Sequence, residues 1–371
     1  MIRGPRTKLA DEGLAIIFTF FVISREIFQF GTCQFNVIAR NKIAISVENF
    51  SSWRFDSEKM SETEAIQSEK NTSAVDSRKR PEQQIVWPNV AYMGTLHLMA
   101  LYAIFLMPSA NPRTWLWTWL CYFCGGILNT CGAHRLWARR SYKATWPFRL
   151  LLMLFNSMAS QNSIFEWTRD HRAHHKYSET DADPHNAKRG FFFSHVGWLL
   201  MKKHPDVITK GKQCDLSDLY EDKIMSQKRY YKLFSYFFNV IFPVFVPWYF
   251  WEESLFKAFI ICFGFRYAIT LNGIWNINSL SHIWGYKPYD KTINPTQNFI
   301  AILTSGGEGF HNFHHTFPQD YAASELGLRI NTSKWFIDLA ALLGLAFDLK
   351  TVSKDVILKR KMRTGDLASN Q

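Results

Sequence analysis

The sequence predicts an all-α membrane protein: four transmembrane helices with a cytosolic helical cap that carries a His-rich di-metal site. Three observations predict it. The long apolar blocks come in two pairs, the basic residues crowd between those pairs rather than inside them, and histidine recurs twice at the spacing i, i+3, i+4. Of 371 residues, 47% are hydrophobic and 16% aromatic, with 32 phenylalanines and 14 tryptophans. That is too aromatic and too clustered for an ordinary water-soluble domain.

Residues 1–80 differ from the rest of the chain. The run "LAIIFTFFVIS", Leu14 to Ser24, has 11 apolar or small residues between charges, too few to cross a hydrocarbon core of about 30 Å as a helix. No small-residue cleavage pattern comes after it. Residues 51–80 are rich in Ser, Glu and Lys and read as disordered. The expected organisation is an N-terminal extension over 1–80, one membrane domain over 81–366 and a tail over 367–371.

No charged residue occurs from Gln83 to Pro112, and none from Thr114 to Ala133; "PSANPR" separates the two runs. This pattern predicts a helical hairpin, with spans near 88–108 and 114–133. The second hairpin spans about 233–251 and 258–277, joined by "EESLFK". An even number of spans puts both termini on the side of the long segment 134–232. That segment is rich in Lys and Arg while the two short connections carry few, so the positive-inside bias places it in the cytosol. Arg266 interrupts the fourth run, and we read it as a structural partner inside the bundle. The stretches Trp146–Asn162 and Trp335–Leu349 have few charges and read as helices along the membrane surface.

The formal net charge of +12 admits nucleic acid, a membrane surface or an anionic substrate as partner. The basic residues flank the apolar blocks, and no basic groove interleaved with aromatics is present, so nucleic acid is excluded and the lipid bilayer is favoured. The six cysteines show no disulfide framework. Cys121 and Cys124 lie inside an apolar run, where small residues let helices pack closely.

The segment "RDHRAHHKYSETDADPHN" sets His171, His174 and His175 on one helical face, and "EGFHNFHHTFPQDY" repeats the spacing with His311, His314 and His315. "NSLSH" sets Asn278 and His282 four apart, and His134 comes directly after the second apolar run. All lie on the predicted cytosolic side. Neutral imidazole suits iron, copper, zinc or nickel, and eight histidines with Asn278 exceed the four ligands of a structural zinc, so two metals are implied. His97, His185, His195 and His204 fall outside these patterns and read as ordinary polar groups. A site of this kind at a membrane surface suggests O2 chemistry on a lipid-like substrate.

The segments "GAHRLW", "EWTRDHRAHHKYSETDADPHNAKRGFFFSHVGWLL", "NSLSHIWGYKPYD" and "EGFHNFHHTFPQDY" resemble the animal acyl-CoA desaturases of the stearoyl-CoA, delta-9 type. The resemblance runs from about Ile85 to Asp366. It implies a multi-pass endoplasmic-reticulum enzyme, both termini cytosolic, that uses two Fe2+ in a non-haem di-iron centre and O2 to remove two hydrogens from a saturated fatty acyl-CoA. Electrons would come from NADH through cytochrome b5 reductase and cytochrome b5. No cytochrome b5 module is recognised in the sequence, so a separate donor protein is expected. By the same resemblance, His134, His171, His174, His175, His282, His311, His314 and His315 are metal ligands, and Asn278 holds a metal-bound water. Asn89, Asn162, Arg169, Asp170, Lys202 and Lys203 match the contacts to the acyl-CoA head group, which suits a phosphate-bearing anion. Gln161, Trp167 and Trp275 match the bend of the acyl tunnel, and Tyr122 and Gly126 its blind end. Ile274 stands where the family has a threonine.

One position departs from the pattern. Relatives carry "HRLWSH" where this chain has "HRLWAR", so Arg139 takes the place of a ninth histidine ligand. A guanidinium has no lone pair for a metal, and at about 4 Å from a divalent ion, at an effective dielectric near 20, its repulsion is roughly 8 kcal/mol. With metal bound, it escapes that repulsion only by swinging away, which leaves one iron short of a ligand. Two functional readings are consistent with this: an active desaturase with an altered iron site, or a catalytically impaired homologue that binds acyl-CoA or pairs with an active partner as a homo- or hetero-oligomer.

Overall fold

The computed structural model describes residues 83–325 and 330–366. The Leu14–Ser24 run, the stretch 51–80 and the tail 367–371 lie outside the described residues. Among those described, three helices are long and apolar enough to cross a membrane: α1 (Trp87–Ser109), and, later in the chain, Lys223–Trp251 and Leu255–Ile283. Between them come α2 (Pro112–Asn129), α3 (Trp146–Ala159) and α4 (Ile164–Lys176). We number the two later long helices α5 and α6; α7 (Phe299–Thr304), α8 (His311–Thr316), α9 (Thr332–Leu342) and α10 (Lys354–Thr364) complete the main elements. The described residues are mostly helical, with one two-stranded antiparallel ribbon among them in which Lys143 pairs with Phe347 and Ala144 with Ala346.

The long helices differ in what surrounds them. Most of α6 is buried, whereas α1 and α5 are largely exposed within the chain, presenting Leu98, Phe105, Leu233 and Phe250 outward. Such surfaces are stable where the solvent is itself apolar. The sequence predicts α2 as a span from 114 to 133; the helix starts at Pro112 on an Asn111 cap that accepts from the Arg113 N–H. It is not among the three most apolar helices. Its buried Thr114, Thr118 and Asn129 lower its hydropathy and serve contacts inside the bundle.

The two short connections meet at one end of the bundle. Buried Glu253 accepts from the Asn111 N–H and the Thr114 hydroxyl, both at 2.8 Å, and Lys257 donates to the Ser109 carbonyl. A charged side chain from the second hairpin thereby caps the first. Arg266, fully buried in α6, donates to the carbonyls of Cys262 (2.9 Å), Met158 (3.3 Å) and Asn239 (2.6 Å) and to the Asn239 side-chain oxygen (2.5 Å). Neutral carbonyl dipoles, supplied from three helices, satisfy it there, as a buried charge requires. This is the structural role expected from the sequence.

At the other end α2 runs on into a wider π-helical turn, Thr130–Ala138, and α6 ends just after His282. The segments over this end share a core of Leu136, Trp137, Phe148, Leu152, Ile164, Leu219 and Ile337. The surface-lying helices expected from the sequence are half-buried: α3 buries Phe148 and Leu152 and exposes Trp146, and α9 buries Ile337 and exposes Trp335, Leu339 and Leu342.

Candidate metal centre

The first histidine triplet sits on α4, whose start is fixed locally. The Ser163 hydroxyl accepts from the Glu166 N–H and donates to the Glu166 carboxylate, a reciprocal cap that defines the helical register. In that register His171, His174 and His175 stand at i, i+3 and i+4. The second triplet sits on the short helix α8, which cannot hold itself in place and is clamped instead. Buried Asn312 accepts from the N–H groups of Tyr289 and Asp290 and donates to the carbonyls of Asp290 and Pro295. The turn before α8 needs its glycines. Gly307 adopts φ +112, and a Cβ on Gly309 would fall 2.2 Å from the Ile302 nitrogen.

The imidazoles gather into two groups. In the first, ligand atoms of His174, His282, His311 and His315 all lie within 4.8 Å of one another; in the second, those of His134, His171 and His314 do. Their Nε2 atoms face each other: His282 to His311 at 2.9 Å, His315 to His311 at 3.1 Å, His134 to His314 at 2.9 Å. Carboxylates hold the opposite edges. Asp183 lies 2.9 Å from His174 Nδ1, Glu179 2.6 Å from His282 Nδ1, and Glu308 2.9 Å from His134 Nδ1. An ionised carboxylate only accepts, so each of these Nδ1 atoms carries the proton and each Nε2 keeps its lone pair. Lone pairs aimed at one another in a buried space repel unless a cation or proton lies between them. His311 can donate to only one of its two neighbours, and its Nδ1, like His171 Nε2, is buried without a partner among the described residues. The four-imidazole group therefore fits a divalent transition metal, with carboxylates behind the ligands as such sites require.

Electrostatics point the same way. Burial first, then neighbouring histidines or Arg139, pushes His171, His175, His311, His314 and His315 well below the ordinary imidazole value, which keeps them neutral, the form that binds metal. Burial alone would raise Glu308, but the Arg135 charge and then His134 hold it down at about 2. Arg135 donates to Glu308 from Nε and Nη2, at 3.1 and 2.5 Å.

Arg139 does not swing away. The π-helical turn carries His134 and Arg139 five residues apart, a spacing that on an α-helix would separate them by about 140°. Here the Arg139 N–H bonds the His134 carbonyl at 3.1 Å, the i+5 pattern of a π-turn, and both side chains enter one pocket. Arg139 Nη2 lies 2.5 Å from His175 Nε2 and contacts His314 Nε2, while Nη1 donates to the Pro318 carbonyl at 2.9 Å. Burial pulls its pKa down to about 9, so it is still a cation at neutral pH. As it stands, the second group does not fit a metal.

A family model described as fatty acid desaturase matches residues 109–326. An acyl-CoA desaturase from Cyprinus carpio is 55% identical over 289 residues, 77% of this chain and 88% of that protein. Human stearoyl-CoA desaturase is 54% identical over 287 residues, 77% of this chain and 80% of that protein. Human stearoyl-CoA desaturase 5 is 54% identical over 285 residues, 76% and 86%. The chain belongs to the fatty acid desaturase family.

In this desaturase-family chain the remaining candidate residues are spread over several places. Trp167 stacks on His171 at 4.8 Å between ring centroids and meets His134 edge-on at 5.9 Å, its Nε1 donating to Gln161 at 3.3 Å. Trp275 is buried on α6 between the rings of His97 and His195. Tyr122 donates to the Thr304 carbonyl at 2.8 Å, and nothing lies within 4 Å of a Cβ placed on Gly126. Arg169 and Lys203 both pair with Asp170, at 2.7 and 2.5 Å. Asn89 donates to the Leu199 carbonyl at 2.7 Å; Asn162 and Lys202 are exposed. Asn278 lies one turn before His282 on α6 and is half-buried.

The desaturase-family site also contains residues that the histidine spacing did not single out. Glu179, Asp183 and Glu308 hold the rings of His282, His174 and His134, and each stands within eight residues of a triplet, a signal present in the sequence. His185, read as an ordinary polar group, lies 4.4 Å from His174 between ring centroids and shares Asp183 with it. His97 and His195 are satisfied through Asn272 at 3.0 and 3.1 Å, and His204 caps the helix Pro205–Gly211.

Proposed function

We propose that this chain is an acyl-CoA desaturase that inserts a cis double bond, at the delta-9 position, into a saturated fatty acyl-CoA using O2 and electrons from cytochrome b5. One observation carries the reading: two groups of imidazole Nε2 lone pairs, oriented by carboxylates on Nδ1, at the end of a bundle with membrane-capable helices. The relatives named acyl-CoA and stearoyl-CoA desaturase supply the substrate class.

His174, His282, His311 and His315 would hold one Fe2+; His134, His171, His175 and His314 would border the other only with the Arg139 guanidinium turned away from them, and Asn278 would reach the site through a water. Iron held this way supplies the O2-activating redox chemistry. The chain's own residues do the rest. Trp167, Gln161 and Trp275 bend the acyl chain so that one methylene pair lies beside the imidazoles, and Tyr122 and Gly126 close its far end. Arg169, Lys202 and Lys203, with Asn89, Asn162 and Asp170, receive the anionic head group. Four spans place residues 134–232 and both termini in the cytosol, in the endoplasmic-reticulum membrane, where cytochrome b5 and its reductase deliver electrons. The desaturase domain covers 81–366, with an extension before it and a short tail after.

A second reading rests on the Arg139 guanidinium within the second group: a catalytically impaired homologue that binds acyl-CoA or an active partner. Expression in desaturase-deficient cells, with fatty-acid analysis of their lipids, separates the two. The first reading expects monounsaturated product from the wild-type chain. Accumulated protein without product, with product restored by Arg139→His, establishes the second.

A further inference from the structure

We infer that this chain holds a single metal ion, on His174, His282, His311 and His315, and that the Arg139 guanidinium takes the place of a second one beside His175 and His314. The inference rests on the reading of the histidines as metal ligands and goes beyond it in stoichiometry and in the role of one residue.

Lone pairs decide the matter. A neutral imidazole has one, and it serves either a metal or an N–H donor. Arg139 Nη2 is 2.5 Å from His175 Nε2 and in contact with His314 Nε2, so both lone pairs face a donor. Of the second group, His134 and His171 remain, fewer than the three protein ligands of an open catalytic site. The guanidinium is also held from behind, by the Pro318 carbonyl on Nη1 and by the π-turn hydrogen bond from its own N–H to His134. Among the described residues it forms no ion pair with a carboxylate, so its charge is spent on the imidazoles themselves. A divalent ion entering this group would meet a fixed positive charge with no space between them.

The first group is intact by the same count. The Arg139 side chain bonds to His175 and His314, outside this group, and His174 and His282 are backed by Asp183 and Glu179. It offers four imidazoles to one ion. The two groups therefore differ in kind: one is a complete ligand set, the other is occupied by a side chain of the protein.

The test is iron content of the full chain, purified in detergent, reconstituted anaerobically with Fe2+ and measured by inductively coupled plasma mass spectrometry. The wild type should hold one iron per chain and Arg139→His two. In the wild-type background His282→Ala should remove the ion and His171→Ala should leave it, which decides the matter even if Arg139→His does not fold. Two irons in the wild type, or loss of iron in His171→Ala with retention in His282→Ala, overturns the inference while leaving the desaturase reading standing. No iron in wild type or Arg139→His, with both helical by circular dichroism, overturns both.

Discussion

Glu308→Gln is expected to destabilise the folded chain by about 3–5 kcal/mol, the usual cost of removing one partner from a buried charge pair. Glu308 and Arg135 are each almost fully buried, at 2% and 1% exposure, and the carboxylate accepts two guanidinium hydrogen bonds. The amide can accept but brings no charge, so the Arg135 cation is left with neutral acceptors alone: the amide oxygen, the Tyr321 carbonyl and the Asn331 oxygen, the last two at 2.8 and 3.1 Å. The Gln side chain also no longer obliges His134 Nδ1 to carry the proton. Thermal unfolding in detergent should fall by roughly 10 °C. An unchanged midpoint would mean that neutral oxygens suffice for Arg135.

His282→Ala is expected to abolish both bound metal and unsaturated product. His282 ends the most buried long helix, its Nδ1 is held by Glu179 and its Nε2 faces His311, so no neighbour can replace it. Asp183→Asn should act more mildly, weakening metal binding by about 10–100-fold, because the lost group orients a ligand rather than being one. Asp183 takes His174 Nδ1 on one oxygen and the Glu179 N–H on the other, and an asparagine can present its amide nitrogen to the ring and reverse the tautomer. The graded pair is measured by metal titration and by fatty-acid analysis of cells expressing each variant. Equal effects would mean that Asp183 does not act through His174.

The parts legible in the sequence are those governed by local periodicity. Apolar runs marked α1, α5 and α6 because length and hydropathy are properties of a single segment. The two triplets marked faces of α4 and α8 because i, i+3, i+4 spacing has one helical meaning. What escaped depends on geometry that spacing does not encode. A five-residue separation points His134 and Arg139 apart on an α-helix, and only the π-turn brings them together. Glu253, in a short connection, gave no hint that it would cap the other hairpin. Glu179, Asp183 and Glu308 were not singled out, because only the folded backbone turns them toward the rings.

The central claim is that imidazoles from α4, α6, α8 and the turn after α2 converge to hold metal. X-ray absorption at the zinc K-edge of the zinc-loaded wild type tests it most directly. The account predicts a nitrogen shell at about 2.0–2.1 Å with the outer-shell scattering of four imidazoles per ion. A shell of oxygen or sulfur without imidazole scattering would contradict it.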